Sequence, residues 1–130
     1  LIRCEPQDQT GSGMFLRMDG QETFRVAPRT MEAACREACE KAGVAVDDIK
    51  VVAPHQANSR IVDILAKRLR LPLEIFLSNI DRYGNTSSAS IPLVLDEAAA
   101  TGRISTGDLV LLVAFGAGLT WSASVVRWGS

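Results

Sequence analysis

Ile49-Lys50-Val51-Val52-Ala53-Pro54-His55-Gln56-Ala57-Asn58 sets a β-branched apolar run against a polar corner that carries the chain's one histidine. Residues 49–53 read as a short buried strand. From 57 to 69 the apolar residues Ile61, Ile64, Leu65 and Leu69 share one side of a helix that stops before Pro72. Asn58 or Ser59 has the side chain to cap that helix. Strand, corner and amphipathic helix in succession form the repeating unit of an α/β layer. A second corner, Tyr83-Gly84-Asn85-Thr86-Ser87-Ser88-Ala89-Ser90, stands at the head of another helical stretch. Two neutral donors, the imidazole of His55 and the carboxamide of Asn85, can therefore converge on one oxygen atom, as an oxyanion site requires.

The rest of the chain extends the same alternation. Residues 5–21 are polar and glycine-rich and predict an irregular entry segment. Residues 30–42 predict a helix, because Met31, Ala34, Cys35, Ala38 and Ala42 recur at helical spacing before Gly43. Residues 73–80 fit either strand or loop. Residues 88–100 predict a third helix with Ile91, Val94, Leu95 and Ala98 on one face. Pro92 lies in its first turn, where the missing N–H does little harm. Residues 108–115 form a near-continuous apolar run, the mark of a strand covered on both faces. Gly116-Ala117-Gly118 turns the chain, and 119–128 return as an antiparallel last strand with Trp121 and Trp128 as packing residues. The whole, 1–130, reads as one domain.

At 130 residues and 47% apolar content there is material for a core. The formal net charge of −1, from 14 basic and 15 acidic residues, gives no reason to expect nucleic acid or a charged membrane as the main partner. No apolar run reaches the roughly 18 residues of a membrane span. Three cysteines without framework spacing predict reduced thiols and a cytoplasmic setting. Cys35 and Cys39 are four apart on a helix, yet share its apolar face and read as small core filler, with no metal site. The opening Leu1-Ile2-Arg3-Cys4-Glu5-Pro6 is neither a signal peptide nor an initiator sequence and reads as the middle of something longer.

Taken together, Pro54-His55-Gln56-Ala57-Asn58, Tyr83-Gly84-Asn85-Thr86-Ser87 and Phe115-Gly116-Ala117-Gly118-Leu119-Thr120-Trp121 resemble the C-terminal half of β-ketoacyl-acyl carrier protein synthase III. The likeness runs from about Met18 to the final strand, with the motifs in the family's order. The fold it implies is α/β, a thiolase-like C-terminal half-domain with a mixed sheet and packing helices. The activity it implies is decarboxylative condensation of an acyl-CoA starter with malonyl-carrier protein in fatty acid biosynthesis, by a cysteine–histidine–asparagine triad. His55 and Asn85 fall on the family's histidine and asparagine positions. The cysteine belongs to an N-terminal half absent here, and none of Cys4, Cys35 or Cys39 resembles its segment, so the chain alone is expected to be inactive.

The resemblance further implies no cofactor, since coenzyme A and acyl carrier protein thioesters are substrates. It implies the missing half as a partner, and a homodimer for the full enzyme. The backbone N–H of Ala117 would face the acyl oxygen, whereas a plain reading of Gly116-Ala117-Gly118 is a tight turn. Arg25, Arg60, Lys67 and Arg68 would receive the carrier protein and the coenzyme A phosphates; ordinary solvated helix faces explain the same residues. A related acyltransferase or starter synthase for polyketides or alkylquinolones is an alternative reading. A non-catalytic module that binds carrier protein or thioesters is another.

Overall fold

Ile2–Pro6 (β1) and Met14–Met18 (β2) pair antiparallel, Ile2 opposite Met18 and Pro6 opposite Met14. The computed structural model describes residues 2–6 and 14–129, with side chains from Asp19 onward. The entry segment expected to be irregular is thus strand on either side of 7–13, which lie outside the described residues. Backbone groups that satisfy one another across a ladder hold a strand even where the side chains are polar.

Gly20–Ala42 (α1) is a 23-residue helix, where the apolar spacing predicted one only from residue 30. The Asp19 carboxylate caps it by accepting the Glu22 N–H at 3.0 Å, and Gly43 closes it at φ 68°. Pro28 lies inside. The helix runs through it because Ala27, Met31, Cys35 and Cys39 form one continuous buried stripe, and packing outweighs a single lost hydrogen bond.

Val51–Pro54 (β3) and Leu109–Gly116 (β4) run parallel, Val51 beside Val110 and Pro54 beside Val113. Thr120–Arg127 (β5) folds back antiparallel on β4, giving a mixed sheet of order β3-β4-β5. Side chains alternate across it. Val52, Leu111 and Val113 face a core built with α1 and Ser59–Leu69 (α2), whereas Val51, Ala53 and Val110 face Ser90–Ala100 (α4). Each fully buried aliphatic side chain contributes about 1.5–3 kcal/mol. Trp128 packs against the second core, but Trp121 is 50% exposed and is not the packing residue expected. It stands at the start of β5 beside α1.

The ambiguous stretch 73–80 is neither plain strand nor plain loop. A 3-10 turn at Leu73–Ile75 leads into Phe76, which bridges Val52 in parallel, and the Leu77 N–H donates to the Val52 carbonyl at 2.8 Å. The chain then enters a single helical turn, Ile80–Tyr83 (α3). Among the described residues, no helix is long and apolar enough to cross a membrane.

Candidate active site

Because β3 and β4 are parallel, and 76–79 runs alongside β3 in the same sense, three connections leave the sheet at one end. They are the His55 corner, the α3–Asn85 corner and the turn after β4. Such an end, where corners rather than side-chain layers meet solvent, is where an open α/β sheet places ligands.

The His55 N–H extends the ladder by donating to the Val113 carbonyl at 2.8 Å, and its ring meets Phe115 edge-on at 5.8 Å and 73°. The imidazole is half-buried, and burial alone pushes its pKa below the ordinary 6.5. It is therefore neutral at pH 7, with one ring N–H to donate. Gln56 turns inward and is 1% exposed. The Asn58 side chain then starts α2, accepting the Arg60 N–H at 2.9 Å, which decides between the two candidate caps.

Gly84, at φ 65°, ends α3 and puts Asn85 on an exposed corner. The Asn85 Oδ1 accepts the Ser87 N–H at 2.9 Å, so the amide group that remains to act outward is its NH2. Ser87 holds a left-handed backbone, φ 52°, rare for a residue with a side chain. After β4, Ala117 lies one residue beyond the Gly116–Thr120 ladder pair, and its carbonyl accepts the Thr120 hydroxyl at 3.0 Å. Gly118 sits at φ 137°, where a Cβ would come 2.8 Å from the Thr120 Cγ2. The turn needs that glycine.

The basic residues are placed less uniformly. Arg25 pairs with Glu22 at 2.6 Å on α1. Arg68 reaches from α2 to Glu32 on α1 at 2.6 Å, and Arg36 shares that carboxylate at 3.1 Å. Arg60 stands exposed in the first turn of α2, nearest the His55 corner, and Lys67 in its last turn, where a cation complements the helix dipole. The cysteines on α1 offer no nucleophile. Burial and its neighbour Cys39 push Cys35 up to about 12, and burial raises Cys39 as well. Among the described residues, no group of histidine, cysteine and carboxylates could hold a metal ion. A hollow of about 330 Å³ lies elsewhere, between α4 and 77–82. It holds neither His55 nor Asn85, because the corners that carry them open outward.

Neither the left-handed Ser87 nor the inward course of Gln56 is visible in the residue pattern. A serine in a polar run and a glutamine beside a histidine carry no signal of either.

Mixed sheet, flanking helices and corners gathered at one end define a thiolase-like domain. In line with this, the solved β-ketoacyl-[acyl carrier protein] synthase III of Thermus thermophilus superposes with a TM-score of 0.87 at 54% identity, over 96% of this chain and 40% of that one. A family model described as 3-oxoacyl-[acyl-carrier-protein (ACP)] synthase III C terminal matches residues 39–128, and the chain belongs to that family. The β-ketoacyl-[acyl-carrier-protein] synthase III of Aquifex aeolicus is 51% identical over 114 residues, 88% of this chain and 37% of the relative. A solved priming β-ketosynthase from the R1128 polyketide biosynthetic pathway is 39% identical, with a TM-score of 0.83, over 93% of this chain and 36% of that one. The chain thus spans little more than a third of the length of the curated relatives it matches.

Proposed function

We propose that this chain is the C-terminal domain of a β-ketoacyl-acyl carrier protein synthase III and supplies the decarboxylation half of its active site. The observation that carries the reading is the state of the two donors. His55 is held neutral by burial, and the Asn85 oxygen is occupied by Ser87, so each corner presents an N–H and no negative charge.

When a malonyl thioester loses CO2, the electron pair of the broken C–C bond passes to the α-carbon and its charge delocalises onto the thioester oxygen. Preset donors at that oxygen lower the barrier, and losing one costs about 3–4 kcal/mol. A carboxylate at position 85 would repel the same charge. The carbanion then attacks an acyl-cysteine carbonyl, the C–S bond breaks, and the thiolate leaves. Splitting the transfer through a covalent intermediate makes two easier steps of one difficult step. The cysteine comes from the remainder of the enzyme: Cys35 and Cys39 are buried in the helical core, and Cys4 stands in a segment unlike the family's nucleophile. The Ala117 N–H serves the acyl oxygen.

Acyl-CoA and acyl carrier protein thioesters are the substrates, with no cofactor and no metal. Arg60 and Lys67, with Arg25 and Arg68 at the flank, steer the acidic carrier protein, which raises association rate more than affinity. The full enzyme works in the cytoplasm as a homodimer, in fatty acid synthesis. Likeness to the priming β-ketosynthase favours starter chemistry for polyketides as the second reading.

The test uses the full-length polypeptide that carries this sequence. CO2 release from malonyl-carrier protein and acyl-enzyme formation by intact mass are followed separately, with acetyl-CoA and longer starters compared. Decarboxylation that depends on both His55 and Asn85 supports the reading; a full-length protein that binds carrier protein without turnover overturns it in favour of a binding module.

A further inference from the structure

Gln56 is the one long polar side chain of the His55 corner that points into the protein, and every hydrogen-bonding position of its amide is filled. Its Nε2 donates to the Pro54 carbonyl at 2.9 Å and the Leu77 carbonyl at 3.2 Å. Its Oε1 accepts the Ser78 hydroxyl and the Asn79 backbone N–H, both at 3.2 Å. A carboxamide has two N–H donors and two acceptor lone pairs, so none is left over. At 1% exposure no water competes for these bonds, and a buried amide so satisfied holds its partners in one arrangement.

The partners lie on both sides of the site. Pro54 precedes His55, whereas Leu77, Ser78 and Asn79 form the approach to α3. From Asn79 the link is rigid: its carbonyl accepts the N–H groups of Arg82 and Tyr83 at 3.1 and 3.0 Å, and the Gly84 N–H closes on Ile80 at 2.9 Å. Gly84 leads directly to Asn85. A short, continuous hydrogen-bonded path therefore runs from the histidine through Gln56 and the Asn79 backbone to α3 and the asparagine.

We propose that Gln56 is a positioning residue that sets the distance between the His55 and Asn85 donors, without touching substrate. This rests on the reading of His55 and Asn85 given above. Glutamine is suited to the position by chemistry. Leucine has similar bulk but strands two carbonyls and an N–H. Glutamate, when ionised, turns an oxygen toward carbonyls that expect a donor. Protonated, glutamate regains one O–H donor and so restores part of the link.

The test compares Gln56→Leu and Gln56→Glu in the full-length polypeptide, well below their melting temperatures. Small displacements of catalytic groups cost up to about 10²-fold in rate. The kcat for malonyl decarboxylation is expected to fall about 10–10²-fold in both variants, with KM little changed and acyl transfer to the cysteine within about twofold of the parent. In Gln56→Glu, unlike Gln56→Leu, decarboxylation recovers relative to the parent as pH falls and the buried carboxyl protonates. If both half-reactions fall in step with melting temperature, if neither falls, or if neither variant folds, Gln56 is only core and the proposal is overturned. Should Gln56→Leu alone fail to fold, the pH recovery in Gln56→Glu decides. His55→Ala and Asn85→Ala run alongside. If they too retain decarboxylation, the underlying reading has failed; if they lose it while the Gln56 variants do not, only the positioning role has.

Discussion

The backbone N–H of Ser87 donates to the Asn85 Oδ1 across 2.9 Å, and Ser87 itself stands in the left-handed region at φ 52°. That bond decides which end of the asparagine amide faces out, and the left-handed serine carries the chain on from the corner. Ser87→Gly is expected to be near neutral in decarboxylation, since glycine enters that region without steric cost. Ser87→Val, whose branched Cβ resists it, is expected to lose about 1–2 kcal/mol of stability and to slow decarboxylation. Denaturant melts and CO2 release measured together check this; a fully active, fully stable Ser87→Val would show that the left-handed corner is unimportant.

His55→Ala and Asn85→Ala in the full-length polypeptide are each expected to slow malonyl decarboxylation by about 10²–10³-fold. Acyl transfer to the cysteine is expected to survive. Asn85→Asp should be at least as damaging as alanine, because its charge opposes the enolate. Single-turnover acylation beside CO2 release separates the two steps, and loss of acylation in either variant would reverse the assigned roles.

The half-buried imidazole should titrate below 6.5, and with one histidine in the chain its NMR signals are unambiguous. The unfolded chain takes up its proton first as pH falls, so stability drops through about 6.5 and levels off beneath the native midpoint. Over that window stability rises with pH. A midpoint at or above 6.5 would mean the ring is not desolvated.

Cys35, pushed up to about 12 by burial and its neighbour Cys39, should resist alkylation at pH 8 until the protein unfolds. Peptide mapping after iodoacetamide treatment measures it. Rapid native modification of Cys35 would reopen the question of a nucleophile within this chain.

Gly118→Ala is expected to cost about 1–3 kcal/mol, since φ 137° excludes a side chain and the Thr120 Cγ2 and backbone nitrogen stand at 2.8 and 3.0 Å. Thr120→Ser removes the methyl but not the backbone contact, so it should not rescue the variant. Thermal melts of the single and double substitutions show which contact governs.

Where burial and periodicity coincide, the residues announce the fold. Ile61, Leu65 and Leu69 mark α2, Val94 and Ala98 mark α4, and the unbroken apolar run of β4 reflects helices on both its faces. Ile64 was expected inward, yet Val62 and Ala66 are buried in full while Ile64 is only partly so: the buried face is rotated slightly from the predicted one. The first ten residues of α1 were hidden by Pro28 and by the polar run before it, and β2 by side chains that do not alternate between apolar and polar. Arg25 and Arg68 read as free cations because Glu22 and Glu32 gain meaning only once the helix turn and the α1–α2 contact exist. The two corners were legible as motifs; the link between them, through Gln56 and Asn79, exists only in three dimensions.

The register of β3 against β4 has a bearing on how the protein is made. Val51 meets Val110, and the His55 N–H finds its acceptor on Val113, so the histidine corner depends on chain that lies beyond α2, α3 and α4. Contacts so distant in sequence form late, after loop-closure entropy has been met. On a ribosome, α1 and α2 can emerge and coil while the His55 corner is still without its wall. A nascent chain halted before Leu109 therefore carries its histidine but has no site to put it in.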